Sequence, residues 1–145
     1  MMKFWFVVNR QGQTRLTRYF EFVEENKRAA LEKDVVTVCL AQPPRQCSFV
    51  EYKDFRLIFR CYASVVCIVG IDEDENELAI YELIQNFVET LDKYFNRVCE
   101  LDILFHLDKV HVILEETVMG GQVLETNNAR ILSLLHQMDQ TSREK

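Results

Sequence analysis

Five cysteines and three histidines are the residues of this sequence whose chemistry suits metal binding or nucleophilic catalysis. They are Cys39, Cys47, Cys61, Cys67 and Cys99, and His106, His111 and His136. The cysteines have no C-x-x-C spacing, and none of the histidines forms a recognisable ligand motif with a nearby Cys, Asp or Glu. Free thiols in a reducing compartment explain the cysteines better than a disulfide framework or a zinc site. We therefore expect neither a metal nor a cofactor.

The remaining polar motifs do not indicate catalysis either. Glu115-Glu116 and the acidic run at 72–75 imitate paired catalytic carboxylates, but such runs are typical of a solvated helix face or a capping loop. Gly120-Gly121 lacks the Lys-Ser/Thr pair of a phosphate-binding loop, and Cys99 has no base at a recognisable offset. The sequence predicts a protein that is not an enzyme. A small cytosolic enzyme is the alternative from another functional class.

The charge of the chain argues against general nucleic-acid binding, because its formal net charge is -6 and its pI about 5.1. Three arginines nevertheless cluster near the N-terminus, at Arg10, Arg15 and Arg18. A solvated strand and turn explain them most simply. The sharper hypothesis is that Arg15 offers its guanidinium fork to a carboxylate or phosphate.

Hydrophobic periodicity predicts the elements that position these residues. Strands are expected at 3–9, 14–20, 47–52, 55–61 and 63–71, and helices at 22–40, 108–118 and 127–138. A short apolar segment at 101–107 precedes the helix at 108–118. Both faces of the first strand are apolar, which is typical of a central strand covered on two sides. With 145 residues and no linker, we expect one domain over 1–145 with a frayed tail at 139–145. No apolar stretch reaches membrane-spanning length, so the protein is predicted to be cytosolic or nuclear, with at most peripheral membrane contact.

The stretch 76–104 organises the chain, because it contains an amphipathic helix of about six turns. Asp74 and Glu77 resemble a capping box at its start. The apolar positions from Ile80 to Val98 fall within one arc, and Val88 lies at the rim of that arc. A rim valine is usually the edge of a core, but a pocket can also open there. The predicted order is ββαβββα followed by short helices, with the five strands in an antiparallel meander.

Two segments carry specific motifs, 9–16 (N-R-Q-G-Q-T-R-L) and 94–103 (Y-F-N-R-V-C-E-L-D-I). Together with 48–52, 60–64 and 76–78, they resemble the small (sigma) subunits of clathrin-adaptor-type complexes. Within the family, residues 11–16, 46–49, 107–111 and 125–132 are most similar to the sigma subunit of the fourth adaptor complex, which acts at the trans-Golgi network without clathrin. Residues 92–95 and 119–121 are also similar to the first, clathrin-associated complex, which is the alternative subtype.

The resemblance implies an α/β, longin-like fold: a five-stranded antiparallel sheet with helices packed on it. It also implies a core subunit of a heterotetramer with two large adaptin-type chains and one medium (mu) chain. Such complexes sort membrane cargo into vesicles at trans-Golgi or endosomal membranes, to which they bind peripherally from the cytoplasm. A purely architectural subunit that reads no cargo signal is the second hypothesis.

The resemblance further implies a site for acidic dileucine signals, [D/E]-x-x-x-L-[L/I], in the cytoplasmic tails of cargo. The positions matching the leucine pocket are Ala63, Val65, Val88, Val98, Leu101 and Ile103. Arg15 matches the arginine that faces the acidic or phosphorylated position of the signal. Val65 replaces a leucine usual in the family, and Arg97 replaces a small polar residue. Arg97 is expected either to add positive charge beside the site or to fold over the pocket and obstruct it.

Overall fold

The computed structural model describes residues 2–42, 47–120, 135–137 and 139. Its strands are β1 (Met2–Asn9), β2 (Thr14–Tyr19), β3 (Cys47–Tyr52), β4 (Phe55–Tyr62) and β5 (Val65–Ile71). Its helices are α1 (Glu25–Leu40), α2 (Glu77–Phe95), α3 (Glu100–Phe105) and α4 (Leu107–Gly120). The predicted order of strands and helices is confirmed over these residues.

The five strands form one antiparallel sheet, as predicted, but not a simple meander. Its order is β2-β1-β5-β4-β3, because β1 pairs with β5 and β2 is left at an edge. β1 and β5 occupy the interior of the sheet and are buried along almost their whole length. Alternate side chains of β1 enter two separate hydrophobic clusters: Phe4 and Phe6 on one face, Trp5 and Val7 on the other. The prediction that β1 is central and covered on both sides is confirmed.

Helices cover the two faces of the sheet. Val35 and Cys39 of α1 pack into the cluster that contains Phe4 and Phe6. On the opposite face, the apolar side of α2 packs against the cluster that contains Trp5, and the Trp5 and Phe87 rings meet edge to face with centroids 5.3 Å apart. α4 packs along α2 and adds a second layer on that side. The sheet is therefore sandwiched between α1 and the α2–α4 layer.

The bounds of α2 correct the prediction for this stretch. The helix has 19 residues and about five turns, not six. Its N-cap is Asn76, whose Oδ1 accepts hydrogen bonds from the backbone N–H of Leu78 and Ala79, so the expected role of Asp74 was wrong. The helix ends at Asn96, which adopts a left-handed conformation with φ 53°. Val98 therefore lies outside the helix.

The segment after α2 also differs from expectation. The short apolar segment expected at 101–107 is helix α3, which begins after an N-cap at Cys99. α4 follows after one residue and ends at Gly120, close to the predicted bounds. Of the helix expected at 127–138, only 135–137 fall among the described residues, and these are helical. The tail expected from 139 onward lies outside the described residues except for Asp139, which accepts a hydrogen bond from Tyr94.

One glycine permits the closest approach within the sheet. Gly70 of β5 pairs with Phe4 of β1, and a Cβ at Gly70 would lie 2.4 Å from the Phe4 ring. Since Phe4 is 2% exposed and stacks on Phe6 at a centroid distance of 4.4 Å, its ring has little room to move. Gly70 is thus needed for the packing of the α1 side.

We predict that Gly70→Ala lowers the free energy of unfolding by about 1–3 kcal/mol through overpacking. The measurement is urea denaturation of the wild-type and variant chains. The matched control is Gly70→Ala combined with Phe4→Leu, which removes the clash. Because Phe4→Leu alone loses apolar contacts, the two changes should be less destabilising together than their sum. Strict additivity would contradict the clash.

Candidate functional site

Arg15 lies on β2 and is held by two neighbouring side chains, one of which is held in turn by Asn9. Its Nε donates a hydrogen bond to Oε2 of Glu100 at 3.1 Å, and its Nη2 donates to Oε1 of Gln13 at 3.0 Å. Asn9 Nδ2 donates to the same Glu100 oxygen at 3.0 Å. The Arg15 and Glu100 side chains are 23% and 26% exposed, so the ion pair is partly shielded from water.

Asn9 fixes the turn that presents Arg15. It is the last residue of β1 and is 2% exposed. Its Oδ1 accepts hydrogen bonds from the backbone N–H of Gln11 and Gln13, at 3.1 and 2.8 Å. This closes an Asx-type turn over residues 10–13, in which Gly12 supplies a φ of 90°. One buried side chain therefore orders the turn and contacts the acid that pairs with Arg15.

The first residue of α3 joins this turn to the β4–β5 turn. The Glu100 backbone N–H donates to Oγ of Ser64 at 3.1 Å. Arg10 Nε donates to the Ala63 carbonyl at 2.7 Å, and Ala63 adopts a φ of 50°. The β1–β2 turn, the β4–β5 turn and the start of α3 thus meet at one end of the sheet. We call Asn9, Arg15, Ser64 and Glu100 the polar junction.

The charge state of the polar junction follows from these contacts. The hydrogen bond from Asn9, and then that from Arg15, lower the pKa of Glu100 from its ordinary 4.5. Because a lowered folded-state pKa favours the native state only while the group is ionised, this contribution is present above pH 4.5 and is lost as the pH falls through the lowered pKa. At neutral pH the junction therefore contains a charged pair.

The six positions matched to the leucine pocket divide into two groups. Val65, Val88, Val98 and Ile103 belong to the α2-side core cluster, and none is more than 3% exposed. Ala63 and Leu101 are exposed, Leu101 at 53%. The exposed pair flanks the polar junction, since Ala63 precedes Ser64 and Leu101 follows Glu100.

Val88 does not lie at an open rim, which corrects the prediction from the helical wheel. Its side chain is 1% exposed, similar to Leu91 at the centre of the arc. The wheel places α2 against one surface only, whereas α4 packs along α2 as well. A position at the edge of the sheet-facing arc is therefore still enclosed, and a carboxylate at Val88 would be as costly to bury as one at Leu91.

Arg97 lies in the turn between α2 and α3. Its side chain is exposed, and its backbone has a φ of 77° directly after the left-handed Asn96. Asp92 orders this turn: its carbonyl accepts from Arg97 N–H at 3.0 Å, and its Oδ1 accepts from Val98 N–H at 3.1 Å. Burial and a hydrogen bond to Asp92 raise the pKa of Tyr62, which ties β4 to the same carboxylate.

Sequence reasoning identified Arg15 but missed the residues that hold it. Glu100 stood within the matched block at 94–103, yet nothing local indicates that it faces a residue 85 positions earlier. Sequence reasoning also did not predict the surface formed by Leu101, Leu104 and Phe105, which are 53%, 39% and 72% exposed. Their i, i+3, i+4 spacing on α3 would have revealed one apolar face had the segment been read as a helix.

Three further findings concern metal sites, membrane-spanning helices and thiols among the described residues. No group of three or more His, Cys, Asp or Glu side chains among them is placed to hold a metal ion. No helix in that part of the chain is both long and apolar enough to cross a membrane. Cys39, Cys61, Cys67 and Cys99 are free thiols, and burial raises the pKa of Cys39 and Cys67 to about 12.

The architecture has a counterpart among solved structures. A chain of a structure described as a homology model of the full-length AP-3 complex in a stretched open conformation has a TM-score of 0.80 to this chain and 29% sequence identity. The match covers 99% of this chain and 96% of that one. The fold is therefore that of a longin-like adaptor-complex subunit, as the resemblance implied.

The sequence comparison gives the family. The protein-family model for the clathrin adaptor complex small chain matches residues 1–142. The chain therefore belongs to that family. AP-4 complex subunit sigma-1 of Homo sapiens is 57% identical over 98% of this chain and 99% of its own length. AP-4 complex subunit sigma of Arabidopsis thaliana is 52% identical over 95% and 96%. AP-1 complex subunit sigma-1A of Homo sapiens is 38% identical over 99% and 91%.

The positive φ of Arg97 makes a testable prediction. A left-handed conformation costs most L-residues on the order of 1 kcal/mol, and asparagine tolerates it best after glycine. We predict that Arg97→Asn raises the free energy of unfolding by about 0.5–1 kcal/mol in chemical denaturation. Arg97→Val is the matched control, because it removes the same charge but introduces a β-branched residue. A gain from both variants would show that charge, and not backbone strain, is responsible.

Proposed function

We propose that this chain is the small subunit of an AP-4-type heterotetrameric adaptor complex that functions in vesicle-mediated transport at trans-Golgi or endosomal membranes. The observation that carries the proposal is the nearly end-to-end identity of 57% with a human AP-4 sigma subunit. The 38% identity with human AP-1 sigma-1A makes a subunit of the first complex the weaker alternative. The complex, not this chain alone, would provide peripheral membrane attachment.

The α3 surface supports assembly with larger chains. Leu101, Leu104 and Phe105 form an apolar face on a short helix, and Phe105 is 72% exposed. Contiguous apolar side chains on a soluble protein are typical of an interface. We propose that an adaptin-type large chain covers Leu104 and Phe105 at the C-terminal end of α3 and leaves Leu101 at its start accessible, while the second large chain and the mu chain complete the complex.

We further propose that the complex reads acidic dileucine signals through this subunit. Arg15 would bind the acidic residue of the signal, and the six pocket positions would receive the leucines. Burial of two leucine side chains contributes on the order of 3–6 kcal/mol, whereas association costs about 4–15 kcal/mol. A single signal would therefore bind weakly, no more tightly than a Kd of about 1 μM. Multivalent presentation on a membrane would strengthen the binding.

A purely architectural subunit is the second candidate, and one observation favours it. Four of the six pocket positions are at most 3% exposed, and Arg15 is already paired with Glu100. In this conformation a leucine cannot reach the pocket residues without a movement of the surrounding chain. Signal binding therefore requires an open state of the subunit.

Assembly is tested by co-expression with an AP-4-type large chain. We expect the wild-type chain to co-purify stoichiometrically, and Phe105→Glu to lose most of the complex because it places an unpaired charge in an apolar interface. Phe22→Glu is the matched control, since Phe22 is 85% exposed on a different part of the chain. Failure of the wild-type chain to bind any adaptin-type large chain would overturn the proposed function.

Signal reading is tested by titrating an acidic dileucine peptide onto the purified heterotetramer. We expect Arg15→Gln to weaken binding up to about fivefold, with the loss shrinking as salt rises, because a partly exposed charge contact is removed. Arg18→Gln is the matched control: Arg18 lies on the same strand but faces Glu115 at 3.8 Å. Equal losses from both arginine variants would mean that only overall charge matters.

A further inference from the structure

Glu100 occupies one of the two forks of Arg15 through which the proposed signal acid could bind. Of the Arg15 donors, Nε is bonded to Glu100 and Nη2 to Gln13. A carboxylate binds arginine best in a bidentate manner, and the Nε–Nη2 edge is one of the two forks that allow it. That edge is filled from within the chain by a carboxylate and an amide oxygen. The site is thus occupied by an internal mimic of its ligand.

Glu100 lies on the same helix as part of the proposed leucine pocket. Glu100 is the first residue of α3, and Leu101 and Ile103 lie on that helix. Val98 lies two residues before it, whereas Ala63, Val65 and Val88 belong to the β4–β5 hairpin and α2. Displacement of α3 is therefore the movement that would separate one half of the pocket positions from the other.

The contacts of Glu100 oppose this displacement. Its carboxylate accepts from Asn9 and Arg15 at 3.0 and 3.1 Å, and its backbone N–H donates to Ser64. These three bonds connect α3 to both turns at the end of the sheet.

We propose that Glu100 is an intramolecular latch: its ion pair with Arg15 holds α3 closed over the leucine site, and the acidic residue of a signal opens the site by replacing Glu100 on Arg15. This proposal rests on the proposed function and adds regulation to the same site. A ligand shifts such an equilibrium only by its differential affinity for the two states. In the open state, the carboxylate of an acidic signal replaces Glu100 as the ion-pair partner of Arg15, whereas a neutral dileucine segment leaves Arg15 without that partner. The latch therefore adds the same opening cost to either segment, and an acidic signal recovers part of that cost through its own contact with Arg15.

The test uses the assembled heterotetramer and Glu100→Gln, which keeps the shape of the side chain and removes its charge. Two peptides serve as probes: an acidic dileucine peptide and the same peptide with Gln at the acidic position. Partly exposed ion pairs shift equilibria by up to about fivefold. We expect both peptides to bind about two- to fivefold more tightly to the variant, because opening becomes easier whichever peptide follows.

The neutral peptide separates the latch from simple charge repulsion. Removal of a negative charge near the site strengthens binding of the acidic peptide by electrostatics alone, but it does not affect the neutral peptide. Glu115→Gln is the matched control, since Glu115 pairs with Arg18 on the strand that bears Arg15 and is not part of α3. We expect this control to leave the affinity of the neutral peptide unchanged.

Hydrogen exchange of the peptide-free complex provides a readout that does not depend on cargo. We expect the backbone amides of 100–105 to exchange faster in Glu100→Gln and in Arg15→Gln, and the double variant to exchange no faster than the quicker single variant. Since the two single variants break the pair from opposite sides, a folding defect specific to one of them does not decide the result.

The outcomes distinguish this proposal from the proposed function. If the wild-type complex binds the acidic peptide, but Glu100→Gln changes neither α3 exchange nor the affinity of the neutral peptide, the latch is overturned and signal reading stands. A gain confined to the acidic peptide, with unchanged exchange, also overturns the latch. If the wild-type complex binds neither peptide, signal reading fails and the latch fails with it. Faster exchange together with tighter binding of both peptides supports it.

Discussion

Burial of β1 and β5 on both faces is the constraint on which the rest of the structure depends. These strands carry apolar side chains in both directions, so each face of the sheet must be covered. α1 covers one face and α2 the other, and the second layer formed by α4 encloses the α2 side further. The close approach of Gly70 to Phe4 shows how little space is left between the sheet and its cover. The buried polar residue of β1, Asn9, is consequently confined to the end of the strand.

The candidate site is a consequence of that confinement. Asn9 ends β1 and is the first polar side chain along that strand to be buried, at 2% exposure. A buried amide must find hydrogen-bond partners, and it finds them in the following turn and in Glu100. The start of α3 is thereby fixed next to Arg15 and Ser64. Asn9, Arg15, Ser64 and Glu100 therefore meet at this end of the sheet, because β1 is buried up to its last residue, Asn9.

The strands, their order of appearance and the two-sided burial of β1 could be predicted from the sequence, because apolar periodicity reports local burial directly. A helical wheel could not predict the burial of Val88. It shows the direction of each side chain around the axis of α2, but it contains no information on α4, which packs on α2. The N-cap was assigned to Asp74 although Asn76 makes the bonds, because acidic loops contain several equivalent candidates. Arg15 was singled out by its place in an arginine cluster and then by the resemblance. Glu100 was not recognised as its partner, because an ion pair across 85 positions leaves no periodic signal.

A closed site is also what the apolar content of this region requires. Val65, Val88, Val98 and Ile103 contribute to the same core cluster as Trp5 and Phe87, so exposing them to water without a ligand would cost on the order of 1.5–3 kcal/mol per side chain. The Arg15–Glu100 pair is too exposed to supply that energy by itself. Apolar burial therefore sets the preference for the closed state, and the ion pair adjusts it by a smaller amount that depends on charge. Leucine side chains can compensate for the loss of apolar burial, but only an acid can compensate for the loss of Glu100. The two parts of an acidic dileucine signal would thus replace the two kinds of contact that close the site.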